Sequence, residues 1–226
     1  NNNTIENNTA RCSGVHGIYI HNSTGNNVAR NQAINNGEHG IYSYNSKGNS
    51  ISFNQARYNG KDGIYIFKSM LNRVEFNEAK NNPSYGIHIH FSSNNTIIGN
   101  NASYNNDGIR LENSNENSVL FNTVQNNTKS IYGCGINAIN ASGNKIRLNL
   151  IKSNSIGISL DGESGNNTIY HNNFLNNHFS QAQDLGGTNH WNLSYPSGGN
   201  HWSDYNSTGK RTDKYKGPYQ NETGSD

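Results

Sequence analysis

Ring-bearing side chains recur in pairs along this chain: Tyr19 with His21, Tyr42 with Tyr44, Tyr65 with Phe67, and His88 with His90, followed by Arg110 with Glu112. Each pair is spaced i, i+2, so on an extended strand both members point to the same side. Such aromatic area suits the apolar faces and hydroxyls of sugars, or a protein partner. The same rings are equally explained as stacks that stabilise neighbouring strands with no ligand at all. Tyr19, Tyr42, Tyr44, Tyr65, Phe67, His88, His90, Arg110 and Glu112 form the candidate ligand-binding set. Acid–base chemistry needs a titratable group with a second charge within a few ångströms. Asp62 and Asp107 each precede a repeated glycine but stand two repeats apart, about 10 Å by strand spacing, which makes them a poor pair. Arg110 and Glu112 read equally well as a surface ion pair, and Asp161 lies two repeats further on. No nucleophile triad, phosphate-cradling glycine loop or zinc-type spacing is present, so no catalytic residue, metal site or cofactor is assigned.

The elements that position these residues come from a repeat. Asn-x-Ile/Val units place a first asparagine at 3, 26, 49, 72, 95, 117, 144 and 167. A second follows five residues later, at 8, 31, 54, 77, 100, 122, 149 and 172. Between them recurs Gly-Ile-x-Ile or a variant, headed by Gly17, Gly40, Gly63, Gly86, Gly108, Gly135 and Gly157. Alternation over so few residues specifies short strands with one buried face. A unit of 22 to 27 residues that returns to the same corners predicts an all-β fold, a single-stranded right-handed parallel β-helix of about eight rungs, some 38 Å long. Asparagines at the bends would stack and exchange amide hydrogen bonds between rungs. The interior is predicted to hold Ile5, Val28, Ile51, Val74, Ile97, Val119, Ile146 and Ile169. A second column grows from Ala10, Ala33, Ala56, Ala79 and Ala102 to Val124, Ile151 and Phe174. The glycines are expected at bends with positive φ or close backbone approach.

Composition agrees. Of 226 residues 31% are hydrophobic and 14% charged, and asparagine supplies roughly one residue in five, which disfavours helical bundles and doubly wound α/β folds. A net charge of +2 provides no case for nucleic acid or an acidic membrane surface, and no apolar run is long enough to insert in a bilayer. Cys12 and Cys134 fall five rungs apart, about 24 Å by strand spacing, too far for a disulfide within the chain. Residues 1–180 form the repeat domain. Residues 181–226 leave the period and contain Trp191 and Trp202, an irregular C-terminal cap expected to lay one of them on Phe174. No comparable cap precedes Asn3, so the N-terminal face is expected to meet further chain, another copy or a neighbouring envelope protein.

The Asn-x-Ile-x-x-Asn and Gly-Ile-x-Ile units resemble the repeats of the NosD-type family, periplasmic copper-binding accessory proteins within a wider superfamily of carbohydrate-binding and sugar-hydrolase β-helices. The end segment, Gly187 to Trp191 and Tyr195 to Tyr205, resembles versions found in secreted or surface-anchored archaeal members. Those relatives often continue into an acidic calcium-binding run; Asn206 to Tyr219 lacks the acidic residues. The resemblance raises copper, for which His190 with His201, near His171 and His178, or His88 with His90, would be the imidazole sets. One methionine and two separated cysteines make a soft copper-transfer site poorly equipped.

Eleven Asn-x-Ser/Thr sequons occur and none starts at a ladder asparagine, which favours outer sites that carry glycan: Asn2, Asn22, Asn94, Asn126, Asn140, Asn166, Asn192 and Asn206. These features predict an extracellular, cell-surface or cell-envelope module, non-catalytic, that offers a rigid surface for self-assembly or glycan contact. Two alternatives stand beside it: a polysaccharide-binding or polysaccharide-processing domain (lyase, epimerase or hydrolase), and a periplasmic copper-handling accessory protein.

Overall fold

The computed structural model describes residues 1–194 and 198–204. Every named strand pairs in parallel with the strand one repeat away, and the strands sort into three sheets of eight, nine and eight members. The first sheet runs from Thr4–Glu6 to Thr168–Tyr170, the second from Thr9–Arg11 to His201–Trp202, and the third from Ile18–His21 to Ser180–Asp184. Each turn of the chain therefore contributes one short strand to each sheet, giving a parallel β-solenoid of about eight turns. No helix among the described residues is long and apolar enough to cross a membrane.

Register follows the sequence frame without slippage. Ile5 pairs with Val28, Val28 with Ile51, Ile51 with Val74, and so on to Ile146 with Ile169. Because side chains alternate across a strand, a shift of one residue would expose the whole isoleucine column, so burial enforces the register. The alanine column widens from Ala102 to Val124, Ile151 and Phe174, and Trp202 pairs next in line. Trp202 stacks on Phe174 at 4.4 Å between centroids, and Trp191 lies 6.4 Å from the same ring, so both tryptophans cover the core at that end.

The bends are held by asparagine. Asn54 donates from its backbone N–H and its Nδ2 to Asn77 Oδ1, donates a second Nδ2 hydrogen to the Val28 carbonyl, and accepts from Asn31 through Oδ1. All four polar positions of a buried carboxamide are thereby used. A third ladder, Asn36, Asn59, Asn82, Asn105, Asn127, Asn154 and Asn177, does the same at another corner. The repeated glycines adopt no positive φ; they serve close approach. A Cβ on Gly63 would meet the Gly86 carbonyl oxygen at 2.7 Å and Asn82 Nδ2 at 2.8 Å. The left-handed backbone falls instead on corner residues such as Phe53, Phe76, Tyr58 and Tyr104, each just before a ladder asparagine. Cys12 and Cys134 are free thiols.

Candidate functional site

The third sheet turns its isoleucines inward and its ring-bearing residues outward. Ile64 and Ile66 are fully buried, whereas the side chains between and after them, Tyr65 and Phe67, face out. Parallel in-register pairing then lays the outward residues in two files. Tyr19, Tyr42, Tyr65 and His88 stack at centroid separations of 5.1, 5.0 and 4.8 Å. His21, Tyr44 and Phe67 stack beside them at 5.1 and 5.5 Å, and His90 follows at 5.1 Å with its ring tilted by 40°. Arg110 and Glu112 occupy the next positions of the two files. All nine residues of the predicted set therefore share one face.

A third file runs alongside, formed by the residue before each repeated glycine: His16, His39, Asp62, Tyr85, Asp107, Cys134 and Ile156. Sequence reasoning missed this file as a unit, although the same 23-residue step connects its first four members. Its consequence is a cluster in which each group belongs to a different turn. His88 Nδ1 lies 3.3 Å from Asp62 Oδ2, one turn back, and His88 Nε2 lies 3.4 Å from Glu112 Oε2, one turn forward. The second contact is an ion pair formed at a nearly buried nitrogen. Glu112 also accepts from Arg110 Nε at 2.8 Å, and Arg110 Nη1 reaches Asp107 Oδ2 at 3.3 Å. The guanidinium sits over the Tyr85 ring at 4.8 Å, and the Tyr65 hydroxyl is 2.9 Å from His90 Nδ1. Asp62 and Asp107 are not a pair, as expected from their spacing; residues of the intervening turn connect them to one network.

Electrostatics follow from this packing. Burial would push the Asp62 carboxyl up, but hydrogen bonds and charge from His39 and His88 outweigh it and hold the group at about 2. Burial would lower the His88 imidazole, and the two flanking carboxylates reverse the sign and raise it. Glu112 is held at about 2, mainly by its contact with His88, against burial and with help from Arg110. Burial pushes the Tyr65 hydroxyl up, and takes Tyr42 to about 12. The site thus contains an imidazole biased toward its protonated form beside carboxylates that stay ionised, at the edge of an open aromatic track.

At the opposite end of the same face, His16, Glu38 and His39 bring one potential ligand atom each to within 4.8 Å of one another. The two imidazoles stack at 5.2 Å. By contrast His171, His178, His190 and His201 are all exposed. The sequons at Asn2, Asn22, Asn94, Asn126, Asn140 and Asn166 fall at corners in left-handed conformation, which asparagine adopts more readily than most residues. Asn192 is half-buried, and Asn206 lies outside the described residues, as does the stretch compared with calcium-binding runs.

The family described as periplasmic copper-binding protein (NosD) matches residues 58–207, about two thirds of the chain. The chain belongs to the NosD family. The right-handed β-helix region family matches residues 1–102 of this NosD-family chain as well, and the handedness expected from the repeats is thereby supported. No curated protein matches the sequence. Among solved structures, the A-module of the Azotobacter vinelandii mannuronan C-5 epimerase AlgE6 superposes with a TM-score of 0.74 at 15% identity, over 82% of this chain and 55% of that one. A D317A mutant of the periplasmic alginate epimerase AlgG superposes with a TM-score of 0.68 at 25% identity, over 75% of this chain and 44% of that one. The NosD-family chain spans about half the length of these structures.

These findings correct the expectation of a non-catalytic module, with enzymatic activity left open and weighted against. It is overturned by the likeness to the alginate epimerase AlgG at 25% identity and by the grouping of ligating and acid–base side chains on the aromatic face. Charges compared in pairs along the chain do not reveal the cluster. Asp62, His88 and Glu112 are 26 and 24 residues apart and meet only because each turn advances the chain by one strand.

Proposed function

We propose that this chain is the β-helical part of a polysaccharide-processing enzyme that binds a glycan along the Tyr19–His90 face and isomerises or cleaves it by proton transfer. The observation that carries this reading is His88, nearly buried between Asp62 at 3.3 Å and Glu112 at 3.4 Å, next to a continuous aromatic track. Stacked rings supply sugar-binding area at low entropic cost. His88 and the Tyr65 hydroxyl are the groups placed to move protons, Glu112 sets the charge on His88, and Arg110 is the cation beside them. The epimerase relatives support proton exchange at a sugar carbon as the first chemistry to test. The periplasmic descriptions of the family and of AlgG support an extracellular or envelope location.

The test is incubation with alginate, polygalacturonate and neutral glycans in deuterated water. Proton NMR reports exchange or inversion at a sugar carbon, absorbance reports unsaturated ends, and reducing-sugar release reports hydrolysis. Turnover of at least one polymer, reduced a hundredfold or more by His88→Ala, is expected. Absence of all three signals on every polymer would overturn the reading.

The family description favours a second reading, copper handling. Copper(II) titration of the wild type and of a variant with His190→Ala and His201→Ala tests it. Saturable binding lost in the variant supports it, and no binding removes it.

A further inference from the structure

We propose that His16, Glu38 and His39 form a binding site for a divalent transition-metal ion of the zinc type, built across the first two turns of the solenoid. These residues lie outside the segment that matches the NosD family and apart from His190 and His201, and they share Asp62 with the His88 cluster. Two imidazoles and one carboxylate are a borderline donor set suited to Zn²⁺, Ni²⁺ or Cu²⁺ rather than to Mg²⁺ or Ca²⁺. A tetrahedral ion holds its nitrogen and oxygen ligands at about 2.0–2.2 Å, which puts two ligand atoms about 3.4 Å apart. His16 Nε2 and Glu38 Oε2 are already 3.7 Å apart, and all three ligand atoms fall within 4.8 Å.

The surroundings prepare each ligand. His39 Nδ1 is 3.2 Å from Asp62 Oδ2 and 3.3 Å from the Asp62 backbone N–H. The Asp62 N–H donates to Nδ1, so His39 frees Nε2 for an ion only by moving its proton to Nδ1, where the Asp62 carboxylate stabilises it and the backbone bond is given up. This is the carboxylate–histidine arrangement that orients metal ligands and raises their basicity. Glu38 Oε1 is engaged by Lys61 Nζ at 2.9 Å, which leaves Oε2 for the ion and fixes the plane of the carboxyl. His16 ligates through Nε2 by moving its proton to Nδ1, at the expense of a 3.4 Å hydrogen bond from the His39 N–H, the longest contact of that file. His39 is buried while His16 and Glu38 are partly open, so the fourth position faces solvent. Three protein ligands with an open fourth position is the arrangement that lets zinc hold a water or a substrate oxygen.

The test uses the protein after chelator treatment and Zn²⁺ alone, followed by isothermal titration calorimetry. The expected result is one saturable site per chain, weakened at least tenfold by His16→Ala and by Glu38→Gln, and unchanged by His190→Ala with His201→Ala. Glu38 is half-exposed, and the amide replacement keeps its shape, so that variant reports on the site even where His16→Ala perturbs the first turn. No saturable binding would overturn the proposal. So would binding indifferent to both His16 and Glu38.

Discussion

Two files of side chains solve the same backbone problem with different chemistry. At the bends, each ladder asparagine gives its N–H to the carboxamide oxygen of the next turn, as Asn54 does to Asn77 at 2.9 Å. Before the repeated glycines, the chain also needs acceptors for its N–H groups. Here Asp62 Oδ1 accepts from Tyr85 at 3.0 Å and Asp107 Oδ1 from Cys134 at 2.9 Å, while His16 Nδ1 accepts a long bond from His39. An amide would satisfy those N–H groups as well as a carboxylate does. Ionisable groups therefore exceed what folding requires at the glycine file, and that file is the one that touches the aromatic face. The asparagine files hold the rod together; the glycine file meets the fold's demand and leaves charge over for chemistry.

Breaking an asparagine file should have the largest effect. Asn77→Ala removes the acceptor for the Asn54 N–H and Nδ2 and the donor to the Ile51 carbonyl, all buried. Each orphaned group costs about 1–3 kcal/mol, so a loss of about 3 kcal/mol or more is expected in urea unfolding. A loss below about 1 kcal/mol would mean that the ladder is not what secures the bend.

Asp62→Asn separates the two duties within the glycine file. The amide oxygen still accepts the Tyr85 N–H, but the contacts with His39 and His88 that hold the carboxyl at about 2 are lost, so a loss of about 2 kcal/mol is expected. The charge that faces His88 is lost, and turnover of the polysaccharide should fall at least tenfold. Equal activity with preserved stability would show that the carboxylate is there for the backbone alone.

How much of this was legible in the sequence follows the same division. The 23-residue return of Asn49, Asn72 and Asn95, with Ile51, Val74 and Ile97 beside them, specified sheet, register and inward face, because one-residue slippage is forbidden by burial. The outward rings were legible for the same reason, since alternation that buries Ile64 and Ile66 must expose Tyr65 and Phe67. The cluster was not, because its parts lie on three turns and its third file was scored residue by residue. His16 and His39 are 23 residues apart and could have been paired by the period. The third asparagine ladder was overlooked because its members stand in varied local sequence. The corner residues in left-handed backbone, such as Phe76, were illegible, since nothing in a phenylalanine announces that conformation and glycine was the expected choice.

His88 is faced by Asp62, Glu112, Tyr65, Tyr85, His90 and Arg110, of which the two carboxylates raise it. A group raised in the folded state adds stability fully below its ordinary value of about 6.5 and loses it as pH rises through the folded value. Glu112 runs oppositely: its contribution is present above its ordinary value of about 4.5 and is lost as pH falls toward about 2. If protonated His88 drives turnover, the rate falls on the alkaline side, and Glu112→Gln moves that limb to lower pH. An unmoved limb in a profile of kcat/KM would assign it to another group.

The smallest expected effect concerns a polar residue with neither duty. Ser43 sits in the inner column between Ile20 and Ile66, fully buried, and its hydroxyl has no hydrogen-bond partner. Unlike Asn77 it completes no ladder, and unlike Asp62 it faces away from the aromatic track. Its hydroxyl was stripped of water with no compensating bond, a cost of about 1–3 kcal/mol by mutational data. Ser43→Ala removes that group and leaves only a small space, so thermal and urea unfolding should show a gain of about 1 kcal/mol with turnover unchanged. A loss of stability would mean that the hydroxyl is satisfied, and that even the inner column contains a polar contact the rod depends on.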